Sequence, residues 1–213
     1  MARTKKQGGK GPGRPKKKRV SKDYQHRRRH GMWPRGASSS DQLMTIVRTK
    51  GKLYPPQVIL AAKLPELCTE RYENEVNIKQ SGATAYEIFG TSEGEKVLDT
   101  LARALTGGMK PCAPNNTDRP WILETRGACS PHTDFAGKGV FSLVICLQTD
   151  KPYKMLISYR KDLLVDDTLT ASHYREVTMD TNSYLVFPSC VYHKCVAAED
   201  NCRVIVNTLV REE

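Results

Sequence analysis

The second half of this sequence is a succession of short runs of strand-forming residues cut by turn residues, and that texture restricts the fold more than any other feature. The runs lie at 121–126, 140–147, 153–159, 174–179, 183–187 and 203–210, and Lys138-Gly139, Asp150-Lys-Pro152, Asp166-Asp167 and Asp180-Thr-Asn182 break them. Six or more strands at this spacing predict a barrel or a double-sheet jelly roll. Upstream the periodicity turns helical. Val97, Leu98, Leu101, Ala104 and Leu105 recur at helical spacing over 92–105, with Ser92 and Glu95 in a capping-box pattern and Gly107-Gly108 as the stop. Pro55-Pro56 opens a second, shorter helix carrying Val58, Ile59 and Ala62 and running brokenly past Pro65, and residues 43–48 alternate as a first strand. Helices first and strands later give an α+β chain, its helices packed on the outside of a sheet.

Charge divides the chain. Residues 1–36 hold fourteen Lys/Arg against the single acid Asp23, a net of +13, whereas the remaining 177 residues sum to −2. The overall +11 is therefore a property of a tail, and the body is close to neutral. Residues 1–40 offer almost nothing apolar to bury, so they are expected to be disordered alone, leaving 41–213 as one domain with a helical part at 41–110 and a β part at 111–213. Within the tail, Pro15-Lys-Lys-Lys-Arg-Val20 resembles a basic nuclear-import signal and Gly13-Arg-Pro15 an AT-hook core, and Arg27-Arg-Arg-His30 adds a second basic run. Nucleic-acid binding through residues 1–36 and a nuclear location, otherwise cytoplasmic, are the expectations. The first residues lack the apolar run of a secretory signal, no stretch approaches a membrane span, and the seven cysteines lack framework spacing, so they are read as reduced thiols. Cys190, His193 and Cys195 lie close together but lack a second pair at zinc-finger spacing.

Two of the five histidines stand in informative company. His132-Thr-Asp134 follows the turn Cys129-Ser-Pro131 between two expected strands, and residues two apart in extended backbone project to one side, so an imidazole and a carboxylate can reach one ion. His193 follows the apolar run ending at Phe187 and the turn Pro188-Ser189. Two histidines and one carboxylate form a facial triad that leaves three positions of octahedral Fe(II) open. Ten residues past His193, Arg203 opens the last strand, sharing one face with Ile205, Asn207 and Leu209. An inward Arg among apolar residues needs an anionic partner. The distal carboxylate of 2-oxoglutarate suits the guanidinium fork.

His132-x-Asp134-Phe135, His193 sixty-one residues on and Arg203 ten further resemble the double-stranded β-helix (jelly-roll, cupin-like) core of the 2-oxoglutarate/Fe(II)-dependent dioxygenases, across roughly residues 121–210. The His-x-Asp-Phe is similar to prolyl-hydroxylase-like members, and the compact core to the TET/JBP group. The resemblance implies Fe(II) on His132, Asp134 and His193, 2-oxoglutarate held by Arg203, and O₂ consumed as the cosubstrate is decarboxylated to succinate and a substrate C–H is hydroxylated. Asn207 and Thr125 are secondary cosubstrate candidates, Arg126 and Tyr192 further residues to place, and His173 is expected to have no role. Three substrate readings stay open: a nucleic-acid base, favoured by the tail; a side chain of a chromatin or nucleic-acid-associated protein; or no substrate at all, in a nucleic-acid-binding or capsid-like jelly roll with a basic arm. Arg211, eight residues after Arg203, does not match the second arginine of AlkB-like members.

Overall fold

A computed structural model describes residues 46–67, 70–72, 84–87, 92–114, 120–165 and 174–213. The basic tail with its import-like and AT-hook-like runs, and His173, lie outside the described residues. In chain order the elements are β1 (Thr49–Lys52), α1 (Pro55–Ala62), a 3₁₀ turn (Leu64–Leu67), β2 (Glu70–Tyr72), β3 (Thr84–Glu87), α2 (Ser92–Thr106), β4 (Lys110–Cys112), β5 (Trp121–Arg126), β6 (Val140–Thr149), β7 (Tyr153–Ser158), a helical turn (Asp162–Val165), β8 (Arg175–Met179), β9 (Ser183–Pro188), β10 (Tyr192–Val196) and β11 (Cys202–Arg211). Among the described residues no helix is long and apolar enough to cross a membrane.

The strands form two antiparallel sheets. The larger runs β1-β9-β6-β11-β5-β3-β2 with β4 pairing β11, and the smaller runs β10-β7-β8. Alternation gives each strand of the larger sheet two faces with different tasks. On one face Leu143, Ile145, Val186, Ile122, Val206 and Val210 pack with the helices. On the other, Val144, Cys146, Leu185 and Phe187 meet Tyr153, Met155, Ile157, Val177 and Met179 of the smaller sheet in a second cluster. The second cluster therefore lies between two facing sheets, which is the double-stranded β-helix arrangement expected from the sequence.

Helix α2 shows why the chain covers one face this way. Leu98, Leu101, Ala102 and Leu105 fall on one stripe at i, i+3, i+4 and i+7 and are buried. Each buried leucine contributes roughly 1.5–3 kcal/mol of transfer free energy, before ordering entropy is subtracted. Ala104, counted with this stripe in the sequence, is exposed, and Ala102 takes its place. The helix ends where Gly107 (φ 78°) and Gly108 (φ 115°) turn left-handed, and both amides donate to the Arg103 carbonyl. In α1, Pro55-Pro56 starts the helix as expected and Ala61 is buried, but Ile59 is exposed. The first strand sits later than expected: residues 43–45 are outside the described set, and β1 occupies Thr49–Lys52 on the edge beside β9. Ile46 is nonetheless fully buried between the sheets, and the Arg48 amide donates to the Val186 carbonyl. Apolar alternation marked the buried approach to the edge strand; the polar Thr-Lys-Gly-Lys strand suits an unpaired edge.

Candidate metal centre

His132 and His193 are drawn together by backbone pairing. Each amide donates to the other's carbonyl (3.0 and 2.9 Å), an isolated antiparallel bridge that places the His132 segment beside β10 as a further member of the smaller sheet. The contact continues upstream, where the Cys129 amide donates to the Cys195 carbonyl and the Cys195 amide to the Cys129 sulfur at 2.9 Å. The neighbouring Cys195 side chain outweighs burial and, with the field of His132, the Cys195 amide and the field of Arg203, pulls the Cys129 thiol down to about 6. After His132 the chain crosses to the end of β9, where the amides of Asp134 and Phe135 both donate to the Ser189 carbonyl (3.2 and 3.1 Å). Ser189 is itself anchored by its hydroxyl, which donates toward the carbonyls of Phe135 and Val140. Phe135 packs on Cys112, Val140 and Leu209. The tripeptide is thus fixed at both ends.

One ligand atom from each of His132, Asp134 and His193 lies within 4.8 Å of the others. The Nε2 atoms of His132 and His193 stand 3.7 and 3.6 Å from Asp134 Oδ1. His132 Nδ1 is 2.8 Å from the Ser130 carbonyl and His193 Nδ1 3.5 Å from that of Val191. A carbonyl only accepts, so in each ring Nδ1 donates and Nε2 is the atom turned toward the carboxylate. Ser142 on β6 donates to Asp134 Oδ2 at 2.5 Å, which leaves Oδ1 as the oxygen turned to the histidines. Burial, partly opposed by the Asp134 charge, pushes the His193 imidazole down to about 4, so it is neutral near pH 7. The His193 side chain is 4% exposed, Asp134 11% and His132 48%, so the cluster opens on the His132 side. Two imidazole nitrogens and a carboxylate oxygen within 4.8 Å of one another are a ready donor set for one divalent ion.

Arg203 points into the space between the sheets. It is 2% exposed, its Nη2 donates to the Gly127 carbonyl at 2.6 Å, and its guanidinium lies 4.8 Å from the centroid of the Tyr153 ring. Its Nη1 is buried with no partner, and among the described residues no carboxylate pairs with it. Thr125, also buried, is its cross-strand neighbour on β5, and Asn207 lies two inward positions along β11, paired in register with Trp121 and Val144. The Asn207 Oδ1 is likewise buried and unpartnered. Pairing of β11 with β6 shifts register between Val204 and Ile205, but Arg203, Ile205, Asn207 and Leu209 keep the shared face read from the sequence. Arg126 is exposed and alternates away from Thr125, so it does not reach this space. Tyr192 alternates away from His193 in the same manner.

Two residues of the site were not read from the sequence. Ser142 orients Asp134, and Tyr153 sits against Arg203 with its hydroxyl buried beside the Cys146 thiol. Burial, with the neighbouring Cys146 and Cys195 thiols, holds the Tyr153 phenol far above its ordinary range, so it is a neutral donor. An inward tyrosine at the start of β7 is the signal that was available.

No family model matches this sequence, and no curated protein matches it. Solved structures do. The non-heme alpha-ketoglutarate-dependent epimerase SnoN from nogalamycin biosynthesis aligns over 82% of this chain and 83% of its own at 11% identity, with a TM-score of 0.50. An oxidoreductase of the 2OG-Fe(II) oxygenase family from Burkholderia pseudomallei aligns over 84% and 93% at 12% identity, TM-score 0.50. The carbocyclase SnoK from the same biosynthesis aligns over 83% and 85% at 10% identity, TM-score 0.50. At such identities the likeness is one of fold.

Proposed function

We propose that the chain is an Fe(II)- and 2-oxoglutarate-dependent dioxygenase that hydroxylates a substrate C–H bond, with iron on His132, Asp134 and His193 and the cosubstrate's distal carboxylate on Arg203. The observation that carries this reading is a pair: three converging metal donors, and a buried arginine with a free Nη1 facing the same inter-sheet space. A buried cation without an anion costs several kcal/mol unless something arrives to pair with it. A dicarboxylate that also chelates the metal would do so, and the buried Tyr153 hydroxyl beside Arg203 supplies a second donor. Thr125 and Asn207 stand on the same inward face as Arg203 and are assigned secondary contacts to the cosubstrate.

Bound iron, 2-oxoglutarate and O₂ together supply the oxidising chemistry. The chain's share is positioning. The bridge between His132 and His193 sets the spacing of the two imidazoles, the Nδ1 contacts fix their tautomers, and Ser142 turns one Asp134 oxygen to the metal. Phe187, packed edge-on to His193 at 4.8 Å, and the cluster around it keep water from that side.

For the substrate, the reading adopted is a nucleic-acid base, with residues 1–36 as the electrostatic tether and the nucleus as the compartment; the +13 of that segment supports it. Succinate release that requires both Fe(II) and 2-oxoglutarate and disappears in His132→Ala is the result expected for the chemistry. Release that persists in His132→Ala and Arg203→Ala would overturn the site assignment. Mass spectrometry of oligonucleotides and of peptides after incubation with the iron-loaded protein tests the substrate: oxidation of peptides alone would replace the base reading with a protein hydroxylase.

A further inference from the structure

We propose that Arg175 is a substrate-binding residue that pairs with an oxyanion, a phosphate or a carboxylate, carried by the molecule oxidised at the metal centre. The proposal rests on the dioxygenase reading above and adds a substrate feature to it. The cross-strand register builds a row through the smaller sheet: His132 opposes His193, His193 opposes Ile157, and Ile157 opposes Arg175. Residues in register on adjacent antiparallel strands share a face, so Arg175 belongs to the same face as the two metal-site histidines. The alternation of β8 agrees, because Val177 and Met179, two and four positions on, are buried in the cluster between the sheets while Glu176 and Thr178 are exposed. Arg175 thus stands two strands over from His193, roughly 10 Å between Cα atoms at ordinary strand spacing. The fully buried Ile157 fills the position between them. An extended arginine spans most of that gap.

Arg175 Nε is buried without a hydrogen-bond partner, and among the described residues no ion pair engages the side chain. Two of the described acids, one on this strand and one at the metal centre, are committed elsewhere. Glu176 pairs with Lys154 at 2.9 Å, and Asp134 is engaged by Ser142 and the two histidines. Arg203 also has a free Nη1, but it lies in the row of Thr125 and Thr149 on the larger sheet, with its guanidinium at the Gly127 carbonyl and the Tyr153 ring. The two arginines therefore serve different anions: Arg203 the cosubstrate, deep between the sheets, and Arg175 a group beside the metal, where the substrate must place its C–H. A planar fork with a free Nε edge binds a two-oxygen acceptor side-on.

The test uses the full chain and its Arg175→Gln and Arg175→Lys variants, with a nucleoside 5′-monophosphate as the phosphate probe and N-acetylaspartate amide as the carboxylate probe. Affinity for each is measured metal-free by calorimetry. It is measured again with Mn(II) and saturating 2-oxoglutarate by paramagnetic broadening of the probe's own NMR resonances. The expected result is that one probe binds and is broadened, that Arg175→Gln weakens it by about tenfold or more, and that Arg175→Lys retains the larger part of the affinity. Loss confined to the phosphate probe assigns a phosphorylated substrate, and loss confined to the carboxylate probe assigns an acidic one. If neither probe binds in either state, or if Arg175→Gln binds both as the wild type does, the proposal is overturned. Mn(II) and 2-oxoglutarate binding by the wild type, read in the same samples, reports separately on the dioxygenase reading.

Discussion

Replacing Arg203 by Met separates the contribution of this side chain to ligand binding from its contribution to folding. Among the described residues the arginine makes one hydrogen bond, Nη2 to the Gly127 carbonyl, and one face contact with Tyr153, while Nη1 is buried and unpaired. The bond and the cation–π contact contribute about 1.5–3 and up to about 2 kcal/mol. The desolvated, anion-free guanidinium costs an amount of the same order, so an apolar side chain of similar length is expected to leave stability within roughly 1–2 kcal/mol of wild type. Ligand binding behaves differently. Loss of a buried, charge-assisted carboxylate clamp removes about 3 kcal/mol, on the order of a hundredfold in Kd. The assay is thermal unfolding of the Mn(II)-loaded protein with 2-oxoglutarate at one hundred times the wild-type Kd. Wild type gains about 2.7 kcal/mol of stability, which for a chain of this size raises Tm by about 5–10 °C; Arg203→Met at the same concentration gains about 0.4 kcal/mol, or about 1 °C. A variant that unfolds far below wild type without ligand, or that keeps the full ligand shift, would refute the reasoning.

Three further outcomes follow from the same geometry. Ser142→Ala removes the hydrogen bond that orients Asp134 and should weaken metal binding by about 10–100-fold in a Mn(II) titration, with little change in stability. Gly127→Ala forces a side chain into φ +63°, a cost of about 1–2 kcal/mol in a urea midpoint, and shifts the carbonyl that holds Arg203, so 2-oxoglutarate affinity should fall with it. The folded state holds His193 near 4 against an ordinary 6.5, so it resists protonation that the unfolded chain accepts. The metal-free protein should therefore carry that stability in full above about 6.5 and lose it as pH falls toward 4, and His193→Gln should flatten this part of the profile in chemical denaturation.

The legible parts of the fold were those written as a period. β5, β6, β7, β9 and β11 announced themselves by alternating or continuous apolar runs bounded by turns, and α2 by its stripe and its Gly-Gly stop. β10 did not, because Tyr-His-Lys-Cys-Val shows only the small inward Cys195 and the exposed Val196 around a histidine that is buried for its chemistry. β4 did not, because Pro111 at its centre argues against a strand unless that strand is an edge, which it is. At the site, His132, Asp134, His193 and Arg203 were readable from residue type, order and spacing. Ser142, Tyr153 and Arg175 were not, because their roles depend on which inward positions face one another. That is set by the register between β6, β7, β8 and β10, and no local pattern encodes it.

If His132, Asp134 and His193 hold one metal ion, the protein binds a single divalent cation through these three side chains. Equilibrium titration of the full chain with Mn(II), followed by the loss of the free-ion EPR signal in the presence of 2-oxoglutarate, tests it most directly. One tight equivalent per chain is expected, made tighter by 2-oxoglutarate and lost in both Asp134→Ala and His193→Ala while the fold persists. One equivalent retained unchanged in those variants would contradict it.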